Sequence, residues 1–551
     1  MDWLGFALAR LLIDQLSQTW GIGETSVIGR KEAGADGRAA FVPMGNPSRR
    51  VAAAVTLIGG YANLAIAIIS GVALVPLYLR HIGAEVYGTW LSTGAIVGWL
   101  AFLDLGVSAF TIQKIAIEAG RNQHDKAASY YVTSLYVYAA LAGVLLILGV
   151  AASWIAPRIC KVTPDAAPAL VGCLMLAVVS LACNLMNSAV TSLHEAYQLP
   201  LFMNCAGVAC SVFGLVVTVA LLFDGWGLWA IAHGMWARGV PLVIANAYYS
   251  RKILQTRGLR GRAERELFRE LLQVAPSVLL SRGGISLSAS AEPFVINAFF
   301  SPEIVTSFCV SRRAAELIKM LLDKISGSIF AGFCHAVAHE DNKVAGAILR
   351  KVMRLMLMGC VMLFGGVVAL NHAFIRLWVG EQFCLGDSFS LVVALAFAVA
   401  CVGSLLSYLM GACGEIRSTH ILLFLESVIK IPLMVLSVWL WGWWGAPFSA
   451  VFVSGCFCWI NWMRMSRRLP GSLLFADIGA KVLAAVFGVS VLFFGAVKVY
   501  EVDSWAKFFA AIFFYCASAG AAAAMVDGTV KKWFTGISSL GLAWVRTPFH
   551  R

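Results

Sequence analysis

Ser129-Tyr-Tyr-Val-Thr-Ser-Leu-Tyr-Val-Tyr-Ala-Ala-Leu-Ala-Gly-Val-Leu-Leu-Ile-Leu-Gly-Val-Ala-Ala-Ser-Trp-Ile-Ala156 runs for 28 residues without one charge. About 20 apolar residues suffice to cross the hydrocarbon of a bilayer as a helix. Such a run is too long for a buried strand and too apolar all round for the surface of a soluble domain. Its flanks tell the same story: Asp125 and Lys126 stand before it, Pro157 and Arg158 after it.

Working outward, thirteen further apolar segments appear between charged or Gly/Pro punctuation. Before it lie Ala53–Leu79 and Thr89–Gln113; after it come Pro168–Ser192, Leu201–Phe223, Trp226–Tyr249, Val274–Phe300 and Ile304–Ala336. Val352–Leu370, Phe389–Ala412, Thr419–Trp441, Gly445–Met463, Ile478–Val499 and Trp505–Val526 complete the set. Composition agrees, since 60% of the 551 residues are hydrophobic and 13% charged, with a mean hydropathy of +0.81. A soluble domain carries about 25% charged residues. The expected fold is therefore an all-α multi-pass integral membrane protein with about fourteen transmembrane helices.

The net charge of +13 acquires meaning from its placement. With fourteen spans, Arg10, Arg30, Lys31, Arg38, Arg49, Arg50, Lys114, Arg121 and Lys126 fall on one side. Arg251, Lys252, Arg257, Arg260, Arg262, Arg265 and Arg269 join them, followed by Lys343, Arg350, Lys351, Arg354, Arg417 and the C-terminal cations. The other side has Arg80, Arg158, Lys161, Arg376 and Lys498. Lys and Arg collect in cytoplasmic loops, which places both termini in the cytoplasm and removes the need for a nucleic-acid partner. The outer loops are short, leaving no room there for an enzymatic domain. The 14 cysteines are scattered without a CxxC pair and read as small apolar fillers.

The largest hydrophilic interruption, Arg251–Gln273, divides the chain. It implies a cytoplasmic tail over 1–50 containing an interfacial helix, a six-helix half over 51–250 and a basic linker over 251–273. A second six-helix half over 274–464 follows, then two additional helices and a tail over 465–551. Pro76-Leu-Tyr-Leu-Arg-His-Ile-Gly-Ala-Glu-Val86 at the end of the first span parallels Pro293-Phe-Val-Ile-Asn-Ala-Phe-Phe-Ser-Pro-Glu-Ile304 at the end of the seventh. Asp125-Lys-Ala-Ala128 likewise parallels Asn342-Lys-Val-Ala345. Six spans separate each pair, so the halves are expected to be parallel repeats.

Charges within the spans need a reason, because one at mid-bilayer costs about 2.5–3.5 kcal/mol on insertion scales. Arg282 and Glu292 lie in the seventh span; Arg312, Arg313, Glu316, Lys319, Asp323 and Lys324 lie in the eighth. Arg312, Glu316, Lys319 and Asp323 share one helix face, where Arg312 can meet Glu316 and Lys319 can meet Asp323. Even then the helix keeps two surplus positive charges. It either lies along the membrane surface or lines a watery, anion-favouring cavity between the halves. The second reading makes Arg282, Arg312, Arg313 and Lys319 a cationic substrate site. Asp104, Arg238, Glu292, Glu316 and Asp323 are then candidates for further cavity or coupling charges. Arg238 can also snorkel to an interface, and Glu426 can neutralise Lys430 four residues on. Glycines such as Gly59 and Gly60 serve either bending or close packing. His335 and His339 lack a third ligand of comparable spacing, and no metal, cofactor, nucleotide loop or nucleophile motif is expected.

Val75-Pro-Leu-Tyr-Leu-Arg-His-Ile-Gly-Ala-Glu-Val-Tyr-Gly88 resembles the first-loop signature of bacterial Wzx-type polysaccharide flippases. These belong to the multidrug/oligosaccharidyl-lipid/polysaccharide exporter superfamily. Phe102-Leu-Asp-Leu-Gly106, Leu377-Trp-Val-Gly380 and the Gly411–Arg417 turn are similar to that family's punctuation, over about Val51–Leu469. The resemblance implies a transporter of the bacterial inner membrane rather than an enzyme. Its cargo would be a polyprenyl-diphosphate-linked saccharide for surface polysaccharide or lipopolysaccharide, flipped by alternating access. Membrane lipids and other polysaccharide-assembly proteins would be its partners. A drug antiporter of the same superfamily is the competing reading, but it needs acidic groups for cationic cargo, and Ala53–Leu79 contains no Asp or Glu. A membrane-bound glycan-modifying enzyme is the third, opposed by the short outer loops.

Overall fold

A computed structural model describes residues 49–526 except 104–106, 161, 163, 165, 198, 339–341 and 470–479. Every regular element among the described residues is helical. In chain order these are α1 (Arg49–His81), α2 (Ala84–Trp99), α3 (Val107–Gly120), α4 (His124–Ile159), α5 (Ala167–Ala196), α6 (Pro200–Phe223) and α7 (Leu228–Arg257). Then come α8 (Arg265–Phe299), α9 (Pro302–Ala338), α10 (Asn342–Trp378), α11 (Asp387–Ala412), α12 (Ile416–Trp441), α13 (Gly445–Arg468), α14 (Ala480–Val499) and α15 (Trp505–Val526). The expected tails and His339 lie outside the described residues.

Ten described segments are long and apolar enough to cross a membrane, and one of them, Arg417–Arg468, contains both α12 and α13. Hydrocarbon offers no water to a peptide group, so helices that satisfy their own backbone are the form these runs take. Large apolar side chains point outward along them, including Ile147, Trp439, Phe452 and Phe513. A water-soluble monomer rarely exposes so many together. The second expected span differs from its reading. It consists of α2, a 3-10 turn at Leu100–Leu103 and α3, and its break follows Gly98, a residue that weakens a helix.

The internal repeat is visible in the element boundaries. From His81 to Phe299, from Ala84 to Pro302 and from His124 to Asn342 the displacement is the same 218 residues. The helix-ending Gly83 (φ +88°) thus stands at the position that Ser301 takes in the second copy.

The chain forms two compact units. The first comprises Met1–His81, Leu100–Arg158 and Thr163–Leu279; the second comprises Ile82–Trp99, Ile159–Val162 and Leu280–Arg551. Within the first, α5 and α6 both pack on α7. Small residues let the backbones approach: a Cβ at Gly234 would sit 1.8 Å from Thr218 Oγ1, and one at Gly214 would sit 2.8 Å from the Gly234 carbonyl oxygen. Gly59 is likewise a packing position, since a Cβ there would come within 2.4 Å of Asn204 Cγ.

The connection between α7 and α8 is reduced to seven residues, 258–264, and these are docked rather than loose. The backbone N–H groups of Arg260, Arg262 and Glu264 donate to Asp125 Oδ1 (3.0 Å), Ser129 Oγ (3.2 Å) and Thr133 Oγ1 (3.2 Å). Four helical residues rise about 6.0 Å and two extended residues about 6.6 Å, so alternate N–H groups meet every fourth side chain of α4. Glu270 ties α8 to its neighbours by accepting from Lys114 Nζ (2.5 Å) and Tyr130 Oη (2.8 Å).

In the second unit, Phe308, Leu349, Met353, Phe389, Leu405 and Met434 belong to one core. α9 packs on α2, α10 and α11 and buries Val305, Phe308, Ala315 and Leu322. It is a core helix, not one lying along a surface. Gly88 permits the α2–α9 contact, because a Cβ there would fall 1.8 Å from the Pro302 carbonyl oxygen. Thr306 Oγ1 donates to the Ala84 carbonyl at 2.7 Å across the same contact.

Gly88→Ala should therefore cost about 1–3 kcal/mol of stability through overpacking. Gly94→Ala, on the same helix with open space around its added Cβ, should be neutral or slightly stabilising. Thermal unfolding of the purified protein in detergent checks the contrast. A second measurement concerns pH. The hydrogen bond from Lys114, helped by that from Tyr130, holds the Glu270 carboxyl below its ordinary value of 4.5. A depressed carboxyl stabilises the fold above that value and loses its contribution as pH falls below it. Lys114→Ala should flatten that acid-side fall in melting temperature and leave the neutral-pH slope unchanged.

Candidate functional site

Three helices of the second unit bring their charges together. Glu292 on α8 accepts from Arg312 Nη1 on α9 through Oε2, and from Lys430 Nζ on α12 through Oε1 at 3.3 Å. The three side chains are 13–14% exposed. Taking ions out of water costs several kcal/mol each unless partners compensate, which explains why one carboxylate is shared by two cations. The triad retains one positive charge. Arg312 is further held by aromatic rings, its Cζ lying 5.7 Å from the Phe308 centroid and 5.5 Å from that of Phe397.

The remaining α9 charges pair locally. Arg313 Nη1 donates to Glu316 at 3.0 Å and Lys319 donates to Asp323, with side chains 26–35% exposed. Arg313 Nε and Asp323 Oδ1 are buried without a hydrogen-bond partner. A pair three or four residues apart on one helix is worth a few tenths of a kcal/mol and needs no tertiary structure. The triad is different in kind, because its members lie 20 and 138 residues apart.

Two expected pairings are replaced. Arg312 reaches Glu292 rather than Glu316, and Glu316 takes Arg313 instead. Lys430 also reaches Glu292, while Glu426 Oε1 accepts from Ser454 Oγ at 2.6 Å. The i,i+4 spacing of Glu426 and Lys430 permits a local pair, but a half-buried carboxylate on another helix competes for the ammonium and wins. Lys430 is thus the member that sequence spacing misassigned. Its only signal was that a cation within an apolar run needs some counter-charge.

The other candidates do not join this cluster in the described residues. Arg282 falls on α8, and its side chain lies outside the described part of the structure; Asp104 lies outside it altogether. Arg238 belongs to the first unit, where it is exposed on α7. No group of His, Cys, Asp and Glu among the described residues could hold a metal ion.

Known proteins share this architecture. The solved structure "Lipid II flippase MurJ, inward closed conformation" matches with a TM-score of 0.65 and 11% identity, covering 86% of this chain and 98% of that one. An inward-facing multidrug resistance MATE family transporter of the MOP superfamily matches at 0.57 and 16%, covering 77% and 99%. A MOP superfamily transporter from Pyrococcus furiosus, named for the reverse polarity of its binding pocket, matches at 0.56 and 15%, covering 76% and 97%. No curated protein matches the sequence. The family model described as "Polysaccharide biosynthesis protein" matches residues 84–385, a stretch that contains Gly88, Glu292 and every charge of α9. The chain belongs to the polysaccharide biosynthesis protein family and has the many apolar helices of a multi-pass membrane protein.

Proposed function

We propose that the protein flips a lipid-linked saccharide bearing a diphosphate across the bacterial inner membrane, by alternating access, to supply surface polysaccharide or lipopolysaccharide assembly. The observation that carries this reading is the Glu292–Arg312–Lys430 triad, a net-positive, largely buried group that joins three helices. A guanidinium presents a planar fork that matches two phosphate oxygens, and an ammonium adds a point charge. In this reading Arg313 and Lys319 add positive charge along α9, with Glu292, Glu316 and Asp323 as counter-charges, and Arg282 in the sequence of α8 is a further candidate. The lipid II flippase that shares the fold supports a cargo of lipid-linked type. A cation antiporter fits less well, because α1 contains no Asp or Glu. In this reading both termini are cytoplasmic, and the polyprenyl tail stays in the bilayer while the headgroup crosses.

Arg312→Ala should reduce surface glycan at least about tenfold at unchanged membrane abundance, since one charge-assisted bidentate contact is worth about 1.5–3 kcal/mol. Arg312→Lys should recover part of the activity, because the charge returns without the fork. Complementation of a flippase-null strain, with protein level measured in the membrane fraction, reads both. Full glycan production by the Arg282→Ala/Arg312→Ala double variant would overturn the phosphate-binding role.

A further inference from the structure

We infer that Glu292 is an exchangeable internal counter-ion, holding Arg312 and Lys430 in place of an anionic cargo headgroup that displaces it; this rests on the diphosphate reading above. One carboxylate occupies two cations that come from different helices, each through its own oxygen. It is therefore already seated where a bridging anion would sit. A single negative charge leaves the triad with surplus positive charge, whereas a diphosphate carries enough charge and oxygens to satisfy both cations. Arg312 has donors beyond the one that Glu292 uses, and Phe308 and Phe397 flank the guanidinium. Glu426, one turn before Lys430, is engaged by Ser454 and leaves the ammonium to α8.

The contrast with the rest of α9 supports exchange. Arg313–Glu316 and Lys319–Asp323 are neutral pairs closed within one helix, and moving neighbouring helices does not require them to break. The triad alone among these contacts joins α8, α9 and α12. Replacing Glu292 by cargo there removes the carboxylate bridge from α8 and hands Arg312 and Lys430 to a ligand. Such a swap lets cargo binding bias one arrangement of the helices over another, which a ligand must do to drive a conformational change. Before cargo arrives, the carboxylate also spares the site two unpaired cations in a low-dielectric setting.

The test measures binding of inorganic pyrophosphate and of farnesyl diphosphate to purified protein in detergent, by calorimetry. Removing the rival anion with Glu292→Gln should tighten both ligands about tenfold, because charge-assisted contacts no longer compete with an internal carboxylate. Lys430→Gln and Arg312→Ala should weaken both. If those two variants weaken binding while Glu292→Gln leaves it unchanged or weaker, Glu292 is a fixed strut. The exchange is then overturned and the phosphate-binding reading stands. If Arg312→Ala and Lys430→Gln bind as the wild type does, or nothing binds, the phosphate-binding reading itself fails and the exchange falls with it. Should Glu292→Gln fold poorly, Glu292→Asp decides: its carboxylate is withdrawn by one methylene and should give a smaller gain in affinity, whereas a strut would give none.

Discussion

An ion withdrawn from water must be given a partner, and in the second unit one carboxylate meets that requirement for two cations at once. Glu292 serves Arg312 and Lys430 together and thereby joins three helices that also share one hydrophobic core. In water such a pair would be worth under about 1 kcal/mol. In a half-buried setting, removing one partner costs far more than the pair gains, because the orphaned charge cannot be rehydrated. The arrangement of α8, α9 and α12 is constrained accordingly, and the aromatic contacts of Phe308 and Phe397 follow Arg312 to its place.

Elsewhere the architecture relies on surfaces of little chemical character. Packing in apolar surroundings gains nothing from excluding lipid by an equally apolar neighbour, so close approach of backbones becomes the main resource. Gly234 against Thr218, Gly59 against Asn204 and Gly88 against Pro302 are three expressions of it. Outside the spans, polar chemistry resumes. The 258–264 connection lies along α4 because Asp125, Ser129 and Thr133 recur at a helical interval that nearly equals two extended residues.

A fold built from such parts tolerates wide divergence of sequence without altering its frame. The helices are specified by length and apolarity, which tolerate wide substitution, and the matching structures share the fold at 11–16% identity. Charged side chains placed among such helices are few, and their sign and partners can differ between proteins that share one fold.

The all-helical class, the approximate limits of the long apolar helices, the internal repeat and the charged helix over 302–338 were legible from sequence, because hydropathy and local spacing are properties of neighbouring residues. The family signature around Gly83 and Gly88 was legible too, though not its physical purpose, which is a tight turn and a close contact with Pro302. Only tertiary structure decided the break in the second span, the attachment of residues 82–99 to the second unit and the partners of the buried charges. Arg312 with Glu316 and Lys430 with Glu426 satisfy every local rule. The rotation of α8, α9 and α12 instead presents Glu292 to both cations, and no spacing along one helix encodes how far away in the chain a better counter-ion will be found.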